Sequence, residues 1–301
     1  MTADSAFTLG KEGAADGRFR RQDSRFRDWA DETAPGRHHL YVAYACPWAH
    51  RTLIVRRLKG LEDTVGVSFV HPYRDERGWA FPDDEHRDDL YGWAFLSEAY
   101  AATDPGFDGR VSVPVLWDRE EHRIVNNESA DIVVMLNQWG TEGPDLYPED
   151  LREEIDAIND VVYERVNNGV YRTGFATSQE AYEEGFTALF ETLAWLDERL
   201  GSQRYLAGDR ITLADWRLFT TLVRFDAVYH THFRCNGRRL VDHPNLWPYA
   251  RELYQWPGVA ETVRFDEIKR HYYTTHDMLN PTRIIPLGPL DMDWTAPHGR
   301  G

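Results

Sequence analysis

The sequence predicts an α/β thioredoxin-like unit followed by an all-α unit, and three observations carry that prediction. Cys46 stands between an apolar strand and a helix that opens with Pro47. The elements around it run β-α-β, a long insertion, then β-β-α, which is the order of a thioredoxin-like unit. Beyond about residue 150 the apolar residues recur at helical spacing. The expected divisions are an N-terminal arm over 1–36, the thioredoxin-like unit over 37–140, the helical unit over 150–280 and a tail over 281–301.

The elements follow in order. Residues 1–36 are polar, with scattered Phe19, Phe26 and Trp29, and read as an irregular arm rather than a packed unit. A first strand is expected over 40–44, then the Cys46 helix, then a second strand over 65–70. The polar insertion extends to about Gly109 and carries a predicted helix over 90–100. Strands over 113–118 and 123–125 form a hairpin with a polar turn. Ile132, Val133, Leu136 and Trp139 give the spacing of an amphipathic helix over 129–139. Gly and Pro mark a linker over 140–148. Tyr182, Phe186, Leu189, Leu193, Leu196 and Leu200 predict a helix over 180–200. Thr212 and Asp215 resemble a capping box before a helix over 216–229. The proline-bearing tail is expected to be extended.

Composition excludes several function classes. A formal net charge of −16 argues against nucleic acid and anionic membranes as partners. Lysine is confined to Lys11, Lys59 and Lys269, and acidic clusters such as Asp83-Asp84-Glu85 read as a solvated surface. Such a surface suits a high-salt solvent, although an arginine bias also arises from genome composition. No apolar run reaches a membrane span, and the polar N-terminus gives no expectation of secretion. Two cysteines give no disulfide framework, so a cytoplasmic location is expected. No Cys/His cluster has zinc-ligand spacing, and no metal is expected.

Cys46 is the candidate nucleophile. Placed at a helix N-terminus, a thiol meets unpaired N–H groups and the positive end of the macrodipole, both of which favour thiolate. A free cysteine is ordinarily a small buried apolar residue, and the strand–Cys–Pro–helix context outweighs that reading. Ala49 occupies the place of a resolving cysteine, so a disulfide at Cys46 needs an external thiol, or Cys235, to resolve it.

Three further features gather around such a thiol. Val113-Pro114 opens the third strand, where a cis-proline would leave the Val113 backbone free to pair with a peptide-like ligand. Glu128-Ser129 opens the next helix: Ser129 is expected to cap it, its N–H groups to hold a carboxylate, and Glu128 to pair with an ammonium group. Trp79, Tyr163, Tyr171, Tyr272 and Tyr273 lie among polar residues, where tyrosine hydroxyls suit a planar oxygenated substrate.

Together, Cys46-Pro47-Trp48-Ala49, Val113-Pro114-Val115-Leu116-Trp117-Asp118, Asn126-Asn127-Glu128-Ser129, Asn167-Asn168-Gly169-Val170-Tyr171 and Lys269-Arg270-His271-Tyr272-Tyr273 resemble the Xi-class glutathione transferases, the glutathionyl-hydroquinone reductases. The resemblance runs from about Phe19 to Pro289. It implies the glutathione transferase fold, a homodimer, and reduction of glutathionyl-hydroquinones to free hydroquinones. It implies Cys46 as nucleophile, Trp79, Val113, Pro114, Glu128 and Ser129 as glutathione-site residues, and Tyr163 with one or both of Tyr272 and Tyr273 as substrate tyrosines. Glutathione is the implied co-substrate, with γ-glutamylcysteine as the alternative thiol, and neither metal nor nicotinamide is required. The competing readings are a general monothiol deglutathionylase or dehydroascorbate reductase, and a non-catalytic transferase-like scaffold.

Overall fold

The computed structural model describes residues 16–300; residues 1–15 of the expected arm, Lys11 among them, and residue 301 lie outside the described residues. By its internal contacts the chain divides into two units. The first is Gln22–Gly143 with Asp266–Thr275, and the second is Pro144–Phe265 with residues 16–21 and 276–300.

The first unit is α/β. β1 (His38–Val42) leads into α1 (Pro47–Leu58) and β2 (Gly66–Phe69). After the insertion, with its short helix α2 (Ser97–Thr103), come the hairpin of β3 (Val115–Asp118) and β4 (Arg123–Asn126) and then α3 (Ser129–Trp139). The sheet order is β2-β1-β3-β4. β1 runs parallel to β2 and antiparallel to β3, which is antiparallel to β4. This is the predicted thioredoxin-like order. Every residue of β1 and β3 is buried, as befits central strands covered on both faces. His39 is buried in β1, its Nε2 2.9 Å from Ser68 Oγ. Burial pushes its pKa down to about 4, so it stays neutral. Opposite it, Gly66 permits the close approach of β2, since a Cβ there would lie 2.5 Å from His39 Nδ1.

Three expectations shift. β1 stops at Val42 because the chain turns into α1, with the Cys46 N–H donating to the Ala43 carbonyl at 3.1 Å. The helix expected over 90–100 is displaced to α2. Asp88 accepts the N–H groups of Leu90, Tyr91 and Trp93, and Glu98 those of Ala94 and Phe95, so side chains take the donors a helix would use. Residues 22–36 are irregular, but they are packed. The Asp28 N–H donates to the Val125 carbonyl and the Asn127 N–H to the Phe26 carbonyl, both at 3.0 Å. Arg27 grips Asp131 through two bonds of 2.5 and 2.8 Å.

The second unit is helical. It contains α4 (Arg152–Val162), a π-helical turn at Tyr163–Asn167, α5 (Gly169–Gly174), α6 (Gln179–Ser202) and α7 (Leu213–Arg224). A second π-helical turn, Phe225–Tyr229, runs into the one-turn α8 (His230–His232), and α9 (Leu246–Tyr254) follows. α6 matches the predicted helix over 180–200. α7 starts three residues earlier than expected, because the capping box acts at Thr212: the Asp215 carboxylate accepts the Thr212 N–H at 2.8 Å and its hydroxyl at 3.1 Å. α10 (Phe265–Thr275) groups with the first unit except for Phe265. The tail, expected to be extended, carries no helix or strand over residues 281–300, and it is anchored. Trp294 is buried against Trp247, Tyr254 and Phe265, and Arg300 pairs with Glu252 at 2.7 Å. Among the described residues no helix is long and apolar enough to cross a membrane.

Candidate active site

The site is built at the start of α1. Cys46 is its N-cap residue, with extended backbone (φ −79°, ψ 121°), and its carbonyl accepts the first helical bond from the His50 N–H at 2.9 Å. Pro47 follows at the first helical position, where a missing N–H costs nothing. The first turn of α1 carries no acidic residue, while Arg56 and Arg57 lie in its last turn. Nothing in the helix itself therefore offsets the positive end of the macrodipole at Cys46. Cys46 is 9% exposed, and its Sγ lies 3.5 Å from the Val113 carbonyl oxygen. The Val113-Pro114 peptide is cis, the isomer expected. One strand end and one helix end thus bring the thiol and a main-chain segment together.

α3 supplies the second wall, with one correction. Ser129 was expected to cap this helix; Glu128 does so instead. Glu128 is extended at φ −101° and ψ 114°, and its carboxylate accepts the Ala130 N–H at 3.1 Å. The helix begins with Ser129 itself, so its hydroxyl is left to other partners. Arg51, on α1, donates to Ser129 Oγ at 3.3 Å. Its guanidinium also covers the Trp48 ring at 4.5 Å, and the side chain is 1% exposed. A cation buried this thoroughly is rare unless paired. Ser24 reaches Glu128 Oε2 at 3.0 Å from the arm segment. Sequence reading missed both Arg51 and Ser24. An arginine among the apolar positions of α1 was a readable signal, whereas Ser24 lies about a hundred residues from its partner and gave none.

Trp79 lies in the insertion and is 3% exposed. His271 stacks on its indole at 5.1 Å and 19°, and the Arg74 guanidinium lies 5.0 Å from the ring centre. His271 Nδ1 is fixed by the Pro72 carbonyl at 2.6 Å. The indole Nε1 is buried and makes no hydrogen bond. An orphaned buried donor is costly and calls for a partner. Tyr272 and Tyr273 follow His271 on α10 and are 1% and 4% exposed.

The remaining predicted residues lie in the helical unit. Tyr163 opens the first π-helical turn and is half-buried. That turn is pinned by Asn167, which donates to Thr221 Oγ1 at 2.8 Å and to the Arg217 carbonyl at 3.1 Å. Single π turns inside helices mark functional sites more often than chance. Asn168 accepts from Arg21 Nε at 2.7 Å. Tyr171 is engaged differently from its neighbours: it packs among Phe19, Phe175, Tyr229 and Phe233, beneath the Arg21 guanidinium at 4.7 Å. Cys235 is fully buried, and burial pushes its thiol pKa far up.

The glutathione S-transferase N-terminal domain family matches residues 45–139, and the C-terminal domain family matches residues 179–252. The glutathionyl-hydroquinone reductase YqjG of Escherichia coli K12 is 50% identical over 304 residues, covering 94% of this chain and 92% of its own. The glutathione-bound structure of YqjG superposes with a TM-score of 0.88, covering 92% of this chain and 96% of that one at 50% identity. A Xi-class transferase from Natrialba magadii superposes with a TM-score of 0.89 at 51% identity, covering 95% of each chain.

Proposed function

From the premise that this chain belongs to the Xi-class glutathione transferases, the glutathionyl-hydroquinone reductases, we propose that Cys46 carries out their reductive deglutathionylation. The chain is an enzyme of the glutathionyl-hydroquinone reductase type, and glutathione is its co-substrate. The observation that supports Cys46 as the centre is the sulfur at the α1 N-terminus, 3.5 Å from the carbonyl that precedes the cis-proline.

The steps balance as follows. The Cys46 thiolate attacks the sulfur of the glutathionyl-hydroquinone, forming the Cys46–glutathione disulfide as the sulfur–aryl bond breaks. The electron pair of that bond stays on the aryl carbon, which takes a proton. A tyrosine hydroxyl is the donor suited to this, and Tyr163, Tyr272 and Tyr273 keep that role from the family pattern. A glutathione thiolate then attacks the glutathionyl sulfur, releasing Cys46 thiolate and oxidised glutathione. The aromatic carbon is reduced, and the sulfur it loses joins one glutathione thiol in a single disulfide. Cys235 is unsuited to resolve the disulfide, being buried in the helical unit with its thiol held protonated.

Glutathione offers a γ-glutamyl end with both charges and a cysteinyl amide. We assign the charged end to Glu128, Ser129 and the α3 N–H groups, the amide to the Val113 backbone, and a carbonyl to Trp79 Nε1. The Arg51 bond to Ser129 Oγ holds that hydroxyl in place. We further place the enzyme in the cytoplasm, where an unbridged nucleophilic thiol stays reduced. We also propose that it works as a homodimer, for which the exposed run Ile284, Ile285, Leu287 and Leu290 offers apolar surface.

The test is quinol release from S-glutathionyl-menadiol with glutathione, run in parallel with γ-glutamylcysteine and with Cys46→Ala. Thiol-dependent release that the variant lacks is expected. Folded wild-type protein that releases no quinol with either thiol would move the assignment to a general deglutathionylase.

A further inference from the structure

Residues 22–28 of the arm supply no group to the thiol chemistry, yet they lie against the segment that ends β4 and opens α3. Arg27 forms an antiparallel bridge with Asn126, the last residue of this edge strand. On either side of it the Asp28 N–H donates to the Val125 carbonyl and the Asn127 N–H to the Phe26 carbonyl. Asn127 returns a side-chain bond, its Oδ1 accepting the Phe26 N–H at 3.2 Å. Its Nδ2 donates to the buried Tyr100 hydroxyl at 3.1 Å, and the Phe26 ring meets that of Tyr100 edge-on at 5.6 Å. These bonds hold the arm in register with Glu128, and the register brings Ser24 to the Glu128 carboxylate.

Ser24 Oγ lies 3.0 Å from Glu128 Oε2 and 3.2 Å from the Asn127 carbonyl oxygen. A hydroxyl has one proton to give, and the nearer, charged oxygen is the stronger acceptor. The other carboxylate oxygen, Oε1, accepts the Ala130 N–H at 3.1 Å and lies 3.5 Å from the Ser129 hydroxyl. The last torsion of a glutamate is broad, so a bond to Oε1 alone leaves the carboxylate plane free to turn. Bonds to both oxygens fix it. With Oε1 committed to the helix cap, Oε2 is the oxygen with a lone pair to spare. Among the described residues no arginine or lysine pairs with Glu128, and neighbouring Arg27 is taken by Asp131. The carboxylate charge is therefore left for a ligand.

Resting on the assignment of the γ-glutamyl end to Glu128 and Ser129, we propose that Ser24 is a positioning residue for the α-ammonium group of γ-glutamyl thiols, acting through Glu128. Its hydroxyl holds Oε2 in the orientation in which the ligand's ammonium meets it. The arm thereby becomes part of the glutathione site and not only a strap along the sheet. Because the bond acts on the oxygen that receives the ammonium, its effect falls on ligands that carry that group and spares those that lack it.

The test is calorimetric titration of the full-length protein with two ligands. One is S-methylglutathione, whose blocked sulfur cannot exchange with Cys46, and the other is its analogue with hydrogen in place of the α-ammonium group. Wild type should prefer the ammonium-bearing ligand. Ser24→Ala should weaken S-methylglutathione about fivefold and leave the analogue within about twofold of wild type. Ser24→Thr, which keeps the hydroxyl, should restore the preference. In turnover, Ser24→Ala should raise KM for S-glutathionyl-menadiol with little change in kcat. Melting temperatures check that each variant is folded. Equal weakening of both ligands by Ser24→Ala, or weakening of neither, would overturn the proposal and leave Ser24 a structural tie. Glu128→Gln separates the two assignments. If it abolishes the preference while Ser24→Ala keeps it, only the role of Ser24 falls. If wild type shows no preference, or Glu128→Gln retains it, the assignment of the ammonium to Glu128 falls, and that of Ser24 with it.

Discussion

Cys46 and Cys235 present the same side chain to opposite surroundings. Cys46 follows the turn after β1, stands at the N-cap of α1 and faces a main-chain carbonyl across a gap of 3.5 Å. Cys235 is fully enclosed in the helical unit, its sulfur near the Val170 and Phe233 carbonyls at 3.9 and 3.7 Å. Burial alone does not separate them, since both are largely covered. What separates them is where they lie: Cys46 stands at a helix N-terminus beside the Val113 carbonyl, Cys235 against main-chain carbonyls inside the helical unit.

The largest effect expected from that contrast is on turnover. Cys46→Ser should lower kcat by at least about a thousandfold, as loss of a nucleophile does. Cys235→Ala should leave kcat/KM within about twofold and cost roughly 1–2 kcal/mol of stability in urea unfolding. Equal losses from both substitutions would break the comparison.

The burial that silences Cys235 also silences His39. Its pKa, ordinarily 6.5, is pushed down to about 4 in the folded chain by burial. Between those values the unfolded chain binds the proton that the folded chain refuses, so the associated stability is present above pH 6.5 and is lost as pH falls toward 4. A loss on the order of 3 kcal/mol is expected from this group. It is measurable as the difference between wild type and His39→Asn in urea unfolding at pH 7 and pH 4.5. Parallel pH profiles for the two proteins would remove His39 from the account.

Alkylation reads the contrast directly. Iodoacetamide at pH 7.5 should label Cys46 about a hundredfold faster than Cys235, as mapped by peptide mass spectrometry, and the gap should vanish in denaturant. A smaller change is expected at the second wall of the site. Glu128→Gln retains an oxygen to cap α3 but loses the charge, and should raise KM for glutathione by about tenfold with little change in kcat. A change confined to melting temperature would show Glu128 to be a cap and no more.

What the sequence revealed follows the reach of each interaction. Cys46, Pro47 and the helix after them are adjacent residues, so their geometry is written locally. The same holds for Thr212 and Asp215, three residues apart, and for the apolar spacing of α3 and α6. The helix expected over 90–100 failed because Asp88 and Glu98 draw its N–H groups away, a competition that periodicity does not register. Ser129 was assigned the cap that Glu128 holds, since serine is the commoner cap and only the backbone angles reveal where the helix begins. Ser24, Arg51 and His271 reach their partners across the fold. Trp79 stood out by the aromatic density of the insertion, and only the resemblance to a family gave it a glutathione-site role.

Single turnover with no free thiol tests the central claim most directly. Stoichiometric S-glutathionyl-menadiol is mixed with enzyme, the reaction is quenched in acid, and released quinol and intact protein mass are measured together. One quinol released per enzyme, with one glutathionyl group mapped to Cys46, is the predicted result, and the adduct should disappear when glutathione is added. Quinol release with Cys46 unmodified, or an adduct on Cys235 in its place, would contradict the account.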